Sequence, residues 1–224
     1  MHIKQVTVSG SSSIGLYAHV TDDVAIVAES AQDSFIDDVR SVLDVPVVTT
    51  TVAGTNLVGA FLTGNDHAVL IPDIIEDHEQ TRFDDADITI KEIPTTYTCL
   101  GNNVLANNEA AIVNPEFSDA ETKRISDALD VSATQKSLAG VETIGTLAAF
   151  NNDAAKLVIS NEISEEEYDY VSDVFNADVT ASSVNMGAAQ IGCGVLCNKN
   201  GVLIGAASGG PEMTMIDNGL GYND

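Results

Sequence analysis

Three cysteines, four histidines and one run of glutamates are the residues of this 224-residue chain best suited to chemistry. Cys193 and Cys197 lie late in the sequence, where a thiolate could serve as nucleophile. A thiol with its usual pKa of about 8.5 needs a neighbouring base or cation to do so. The histidines are His2, His19, His67 and His78, and none follows Cys99, the first cysteine of the chain. On a single strand, Cys193 and Cys197 would share a face roughly 13 Å apart. That is too far for a disulfide, and no second ligand pair completes a zinc site. Both read as small core or surface residues. His67 falls in the turn Gly64-Asn65-Asp66-His67 and reads as a turn-stabilising group. Glu165-Glu166-Glu167 could hold a metal, but the run opens a helical pattern, where acids complement the helix dipole. No metal or cofactor is expected. Gly10-Ser11-Ser12-Ser13 hints at a phosphate loop, yet no lysine follows at the required spacing.

Charge narrows the classes further. The chain has 34 Asp plus Glu against 9 Lys plus Arg, a net of -25. No basic cluster exists to neutralise phosphates, so binding to DNA is not expected. Hydrophobic residues make up 44%, too many and too regularly placed for a disordered acidic chain. The pattern suits a folded protein in very high salt, where the Debye length shrinks to ~3 Å at ~1 M and self-repulsion is screened. A haloarchaeal source is expected. The N-terminal segment has no apolar run of signal-peptide type, and no stretch nears the ~20 apolar residues of a membrane helix. A cytoplasmic protein is expected.

The elements that position these residues repeat five times. Gly10-x-x-x-Ile14-Gly15, Gly54-x-x-x-Val58-Gly59, Gly140-x-x-x-Ile144-Gly145 and Gly187-x-x-x-Ile191-Gly192 share one register. Thr96-x-x-x-Leu100-Gly101 fills the gap with Thr for the first glycine. The closing glycines are 44, 42, 44 and 47 residues apart. The glycines are read as letting backbones crowd near an axis. After each closing glycine comes a short strand, a polar turn rich in Asn and Asp, and an apolar return such as Ala110-Ala-Ile-Val or Gly201-Val-Leu-Ile, a β-hairpin pattern. Helical spacing follows in Phe35, Val39 and Val42, in Ile125 and Leu129, and in Tyr168, Val171 and Phe175. Ser118 with Glu121, and Ser164 with Glu167, form capping boxes. The second helix, near residues 76–83, is weaker, and any fifth helix after Pro211 should be brief. Units of about 45 residues cannot bury an apolar face alone. We expect a single α/β domain of five repeats, about 1–45, 46–90, 91–131, 132–178 and 179–224. Strands should face the axis with helices outside, closed into a ring because closure removes sheet edges. An open solenoid is the alternative.

At this point the chain resembles the translation initiation factor 6 family along its whole length. The residues that carry this are Gly64-Asn65-Asp66-His67-Ala68-Val69-Leu70-Ile71-Pro72, Leu100-Gly101-Asn102-Asn103, Val45-Pro46-Val47-Val48 and Val184-Asn185-Met186-Gly187, in order on the repeat. The resemblance implies the pentein-type five-bladed propeller. It also implies binding to the large ribosomal subunit, near the sarcin–ricin loop and a neighbouring ribosomal protein, which blocks small-subunit joining and serves late subunit maturation. Ala60 stands where eukaryotic members carry a basic residue, and Ala68 replaces a glycine of the family segment. The chain given stops at Asp224, so tail-based phosphorylation control is not expected. The same fold hosts guanidino-modifying enzymes with a late cysteine and a preceding histidine. Here no histidine lies in the fourth repeat, so an enzyme is the lesser reading. Residues following the closing glycines are Leu16, Ala60, Asn102, Thr146 and Cys193, an uncharged ring in an acidic chain. We expect the ribosome-binding residues to be Ala60, Gly101, Asn102, Asn103, Thr146, Asn185 and Gly187. The competing explanation is that this ring is uncharged because it is buried.

Overall fold

The structure is a computed structural model that describes residues 1–86 and 88–223. It contains five three-stranded sheets with one long helix between successive sheets. Strand β1 (Ile3–Val6) comes first but belongs to the last sheet. The first blade holds β2 (Ala18–Val20), β3 (Ala25–Ala28), helix α1 (Asp33–Leu43) and β4 (Val47–Thr50). The second holds β5 (Thr63–Gly64), β6 (Val69–Pro72), α2 (Asp77–Asp85) and β7 (Ile90–Ile93). The third holds β8 (Val104–Ala106), β9 (Ala110–Val113), α3 (Asp119–Leu129) and β10 (Ser132–Gln135). The fourth holds β11 (Ala148–Asn151), β12 (Lys156–Ser160), α4 (Glu165–Phe175) and β13 (Asp178–Ser182). The fifth holds β14 (Val195–Asn198), β15 (Gly201–Gly205) and α5 (Gly210–Gly219), and β1 completes its sheet.

In each blade an antiparallel hairpin is followed by a parallel third strand, as in Ala25 opposite Val47 and Ala110 opposite Ser132. That third strand opens the next sequence repeat, so every sheet straddles a repeat boundary. The fifth blade has no following repeat and takes β1 instead, Ile3 pairing with Val202. The ring therefore closes through hydrogen bonds between the two chain ends. Helix α5 is ten residues long, which corrects the expectation of a brief one; Pro211 sits in its first turn, where a missing N–H does no harm.

The core lies between blades. Alternation along β3 sends Ala25 and Val27 toward the fifth blade, where they join Phe35, Val39 and Leu203. Ile26 and Ala28 face the second blade with Leu62, Ile71 and Phe83. Five such clusters fill the five seams. The middle strands are buried on both faces, which explains their unbroken apolar runs. Phe35, Phe83 and Phe175 are among the largest fully buried side chains, each contributing roughly 1.5–3 kcal/mol by removal from water.

Polar ties join the blades at both ends. At the helix N-terminal end, Glu79 accepts hydrogen bonds from Thr51 Oγ1 (2.6 Å), Ala53 N (2.8 Å) and Gly54 N (2.9 Å) of the preceding blade. Glu212 receives Met186 N and Gly187 N, Glu167 receives Ala139 N, and Gln32 receives Ser9 N in the same way. The three glutamates also accept the N-cap N–H of their own helices, from Glu76, Ser164 and Gly209. At the hairpin end, Asn65, Asn107, Asn151 and Asn198 donate to the carbonyls of Leu129, Phe175, Leu220 and Leu43, each at the end of the next blade's helix.

Candidate functional site

Five short helical turns carry the closing glycines around the axis. A side-chain carbon on Gly59 would lie 1.9 Å from the Gly15 carbonyl oxygen, on Gly101 2.0 Å from Gly59 O, and on Gly145 2.2 Å from Gly101 O. Gly192 is looser, 3.1 Å from Gly145 O, and Gly15 completes the circle at 1.9 Å from Gly192 O. Only hydrogen fits at the four tight positions. The opening glycines behave differently, which corrects the expectation that all of them crowd the axis. Gly10, Gly140 and Gly187 have φ of +81°, +70° and +97° with nothing within 4 Å. They occupy turns: Val8 bridges Ser11, and Leu138 bridges Val141, around two residues with positive φ.

These turns and the axial helices form one face of the ring. Its segments, residues 8–17, 51–62, 94–103, 137–147 and 183–194, carry a single charged side chain, Glu142. The opposite face, at the hairpin turns, carries Asp22, Asp23, Asp66, Glu109 and Asp153. On the uncharged face Gly101, Asn102 and Thr146 are half-buried, and Gly187 is exposed. Ala60 and Asn103, two of the expected contact residues, are only 5% and 7% exposed, so their side chains offer little surface. Ala60 lies within its short axial helix, Val58–Phe61. Asn103 donates to Cys99 O at 2.8 Å and accepts from Asn114 Nδ2 at 2.7 Å, a structural link. Asn185 is engaged within the ring, donating to Ser12 O at 2.9 Å. Two residues missed by the sequence reading stand out instead: Leu57, 41% exposed, and Met186, 84% exposed. For Met186 an apolar side chain inside a turn was the available signal, whereas Leu57 lies just before an axial helical turn and carried none.

An axial cavity of about 140 Å³ runs beneath this face, and His19, Asp22, Asp66, Asn152, Cys193 and Cys197 are among its lining. Ring closure brings His19, from the first blade, into the same cavity as the late cysteines; linear separation hid this. The thiols are poorly suited to attack. Burial, helped by Asp22, pushes Cys197 up to about 12, and its Sγ donates to Phe150 O at 3.0 Å. Burial also raises Cys193. Burial lowers His19 to about 4, leaving a neutral ring whose Nε2 has no hydrogen-bond partner among the described residues. No thiol–imidazole pair is formed. Cys193 sits in an axial helical turn (Ile191–Gly194) and Cys197 on β14, so the two do not share a strand as the sequence reading assumed. His67 donates its backbone N–H to Asn65 Oδ1 at 3.0 Å within its turn, and its side chain is exposed. Glu165 and Glu166 lie exposed in the first turn of α4. Among the described residues no group of three metal-ligating side chains is assembled, and no helix is long and apolar enough to cross a membrane.

A five-fold pseudosymmetric α/β ring of three-stranded sheets and outer helices is a pentein-like fold. The model of the eIF-6 family matches residues 3–219, and the chain belongs to that family. It is 34% identical over 227 residues to translation initiation factor 6 of Pyrococcus abyssi, covering 99% of each chain. It is 32% identical to translation initiation factor 6 of Haloquadratum walsbyi, covering 96% of this chain and 94% of the relative. Translation initiation factor 6 of Natronomonas pharaonis is 31% identical, covering 97% and 98%. Identity to these two halophiles is no higher than to Pyrococcus.

Proposed function

We propose that this protein binds the large ribosomal subunit through its uncharged loop face, keeps the small subunit from joining, and acts late in large-subunit maturation. The observation that supports this reading is the charge distribution: the axial loop segments carry one acid, Glu142, in a chain of net charge -25. Interface cores are depleted in charge, and an acidic face would repel ribosomal RNA. The partner would be a ribosomal protein beside the sarcin–ricin loop, with RNA nearby. Gly101, Asn102, Thr146 and Gly187 would contribute at the centre, with Leu57 and Met186 as apolar anchors. The protein acts as a monomer and has no catalytic role in this reading.

The test is sedimentation of purified protein with each subunit in molar KCl. Binding to large but not small subunits is expected. Leu57→Glu, Met186→Glu and Asn102→Glu should each weaken binding at least tenfold, about 1.4 kcal/mol, with near-native melting. Glu166→Lys, on the outer helix, should bind normally. The reverse pattern would place the docking surface elsewhere on the ring.

A further inference from the structure

The five seams between blades are not equivalent, and one differs at both ends. In four seams a buried asparagine does two jobs. Its Oδ1 accepts backbone N–H groups of its own turn, as Asn65 does from His67 and Ala68 at 3.0 and 3.3 Å. Its Nδ2 reaches across the seam to the carbonyl ending the next helix, at 2.8 Å for Asn198, 3.0 Å for Asn65, 3.1 Å for Asn107 and 2.9 Å for Asn151. In the first blade the equivalent residue is Thr21. Its Oγ1 accepts from Asp23 N and Val24 N, both at 3.2 Å, so the first job is done. A threonine has no amide to do the second.

A cavity of about 180 Å³ lies at that place, with Thr21, Val24, His67, Ala86 and Ile88 in its lining. Ala86 follows α2, where the carbonyls of Leu43, Leu129 and Phe175 meet their amides in other seams. Helix α2 also anchors weakly: Phe83 is its one buried apolar residue, whereas α1 buries Phe35, Val39, Val42 and Leu43. The other end of the same seam is tied as fully as the fifth-blade seam, where Glu212 also gathers four donors, and its carboxylate is more deeply buried. Glu79 is wholly buried and gathers four donors: Thr51 Oγ1, Ala53 N, Gly54 N and Glu76 N. On the axial side Asp22 N donates to Asp66 Oδ1 at 3.1 Å, but the next seam has the equivalent contact from Asp66 N to Asn108 Oδ1, so this link does not compensate.

We propose that the seam between the first and second blades is a built-in hinge of the ring, pinned at its loop end by Glu79 and free to open at its hairpin end for want of an amide at Thr21. Sub-global openings draw on the region with fewest buried contacts and ties. Opening here would splay the hairpin end of the ring while leaving the uncharged loop face assembled.

Amide hydrogen exchange of the full chain, read by mass spectrometry, tests this on three proteins: the wild type, Thr21→Asn and Asn107→Thr. In the wild type, amides of β6 and α2 should exchange at least tenfold faster than those of β12 and α4. Thr21→Asn should slow exchange tenfold or more at the first seam and little elsewhere. Asn107→Thr should create fast exchange at the end of α4, showing that the missing amide is the cause. Equal exchange at all seams of the wild type would overturn the proposal. So would a Thr21→Asn protein that leaves β6 and α2 unchanged, or one that slows every blade alike.

Discussion

The Gly192 carbonyl oxygen stands 1.9 Å from the point where a side-chain carbon on Gly15 would lie, so the last repeat and the first meet at the axis with no room for a methyl group. Backbone cannot yield there without shifting a whole blade. Gly15→Ala and Gly59→Ala should therefore abolish folding or leave a protein with no cooperative melt. Gly192→Ala, with 3.1 Å to its nearest oxygen, should be distinctly milder. Gly10→Ala meets no atoms and pays only for its left-handed backbone, about 1–2 kcal/mol. Urea denaturation of the four variants gives the ranking, and equal losses at Gly10 and Gly59 would contradict it.

Glu79 should be the most sensitive of the outer-helix carboxylates. Glu79→Ala strands three backbone N–H groups and a hydroxyl around a buried site, for an expected loss of about 3 kcal/mol or more. Glu167→Ala, which frees fewer donors from a less buried site, should lose less. Thermal melts of the two variants decide the order.

Acid should weaken the fold in two stages. His19 is held neutral at about 4 against an ordinary 6.5, so the unfolded chain takes up a proton that the folded chain refuses. Its contribution is complete above pH 6.5 and declines as pH falls toward 4, by roughly 3 kcal/mol in all. The carboxyls come next. For Glu79, Glu167 and Glu212 burial alone would raise the pKa, but hydrogen bonds from backbone N–H and hydroxyl groups outweigh it. For Glu121 the Ser118 hydroxyl and N–H dominate in the same direction. Their lowered values mean stability that is present above the ordinary carboxyl pKa and lost as pH falls through the folded one. Melting temperature should be flat between pH 6.5 and about 8, where thiols of ordinary pKa begin to ionise in the unfolded chain, and fall below pH 6.5, and His19→Gln should flatten the stretch from pH 6.5 to 4. An unchanged slope in that variant would remove His19 from the account.

Salt should stabilise the protein strongly. Two unit charges 10 Å apart repel by about 0.4 kcal/mol in water, and an excess of 25 acidic charges multiplies such pairs to the scale of the ~5–15 kcal/mol that holds a domain folded. Dialysis from molar KCl to dilute buffer should lower the melting temperature markedly or cost the compact structure. A melting temperature independent of KCl would argue against adaptation to high salt.

The sequence by itself determined the repeat and its elements, because these rest on local chemistry. Glycine spacing, Asn-rich turns, the Ser118–Glu121 and Ser164–Glu167 caps and the unbroken apolar runs each act within a few residues. Tertiary structure decided which elements share a sheet, since β1 joins β15 across nearly the whole chain and each third strand serves the preceding blade. It also separated two kinds of glycine that look alike in one motif: Gly15 is squeezed by a distant carbonyl, while Gly10 only turns the chain. Exposure was equally out of reach. Ala60 and Asn102 hold the same repeat position, yet Ala60 is buried and Asn102 half-open, a difference that depends on the surrounding fold rather than on the motif. The gap at Thr21 became visible only beside Asn65, Asn107, Asn151 and Asn198, whose amides reach carbonyls at least 64 residues away in the chain.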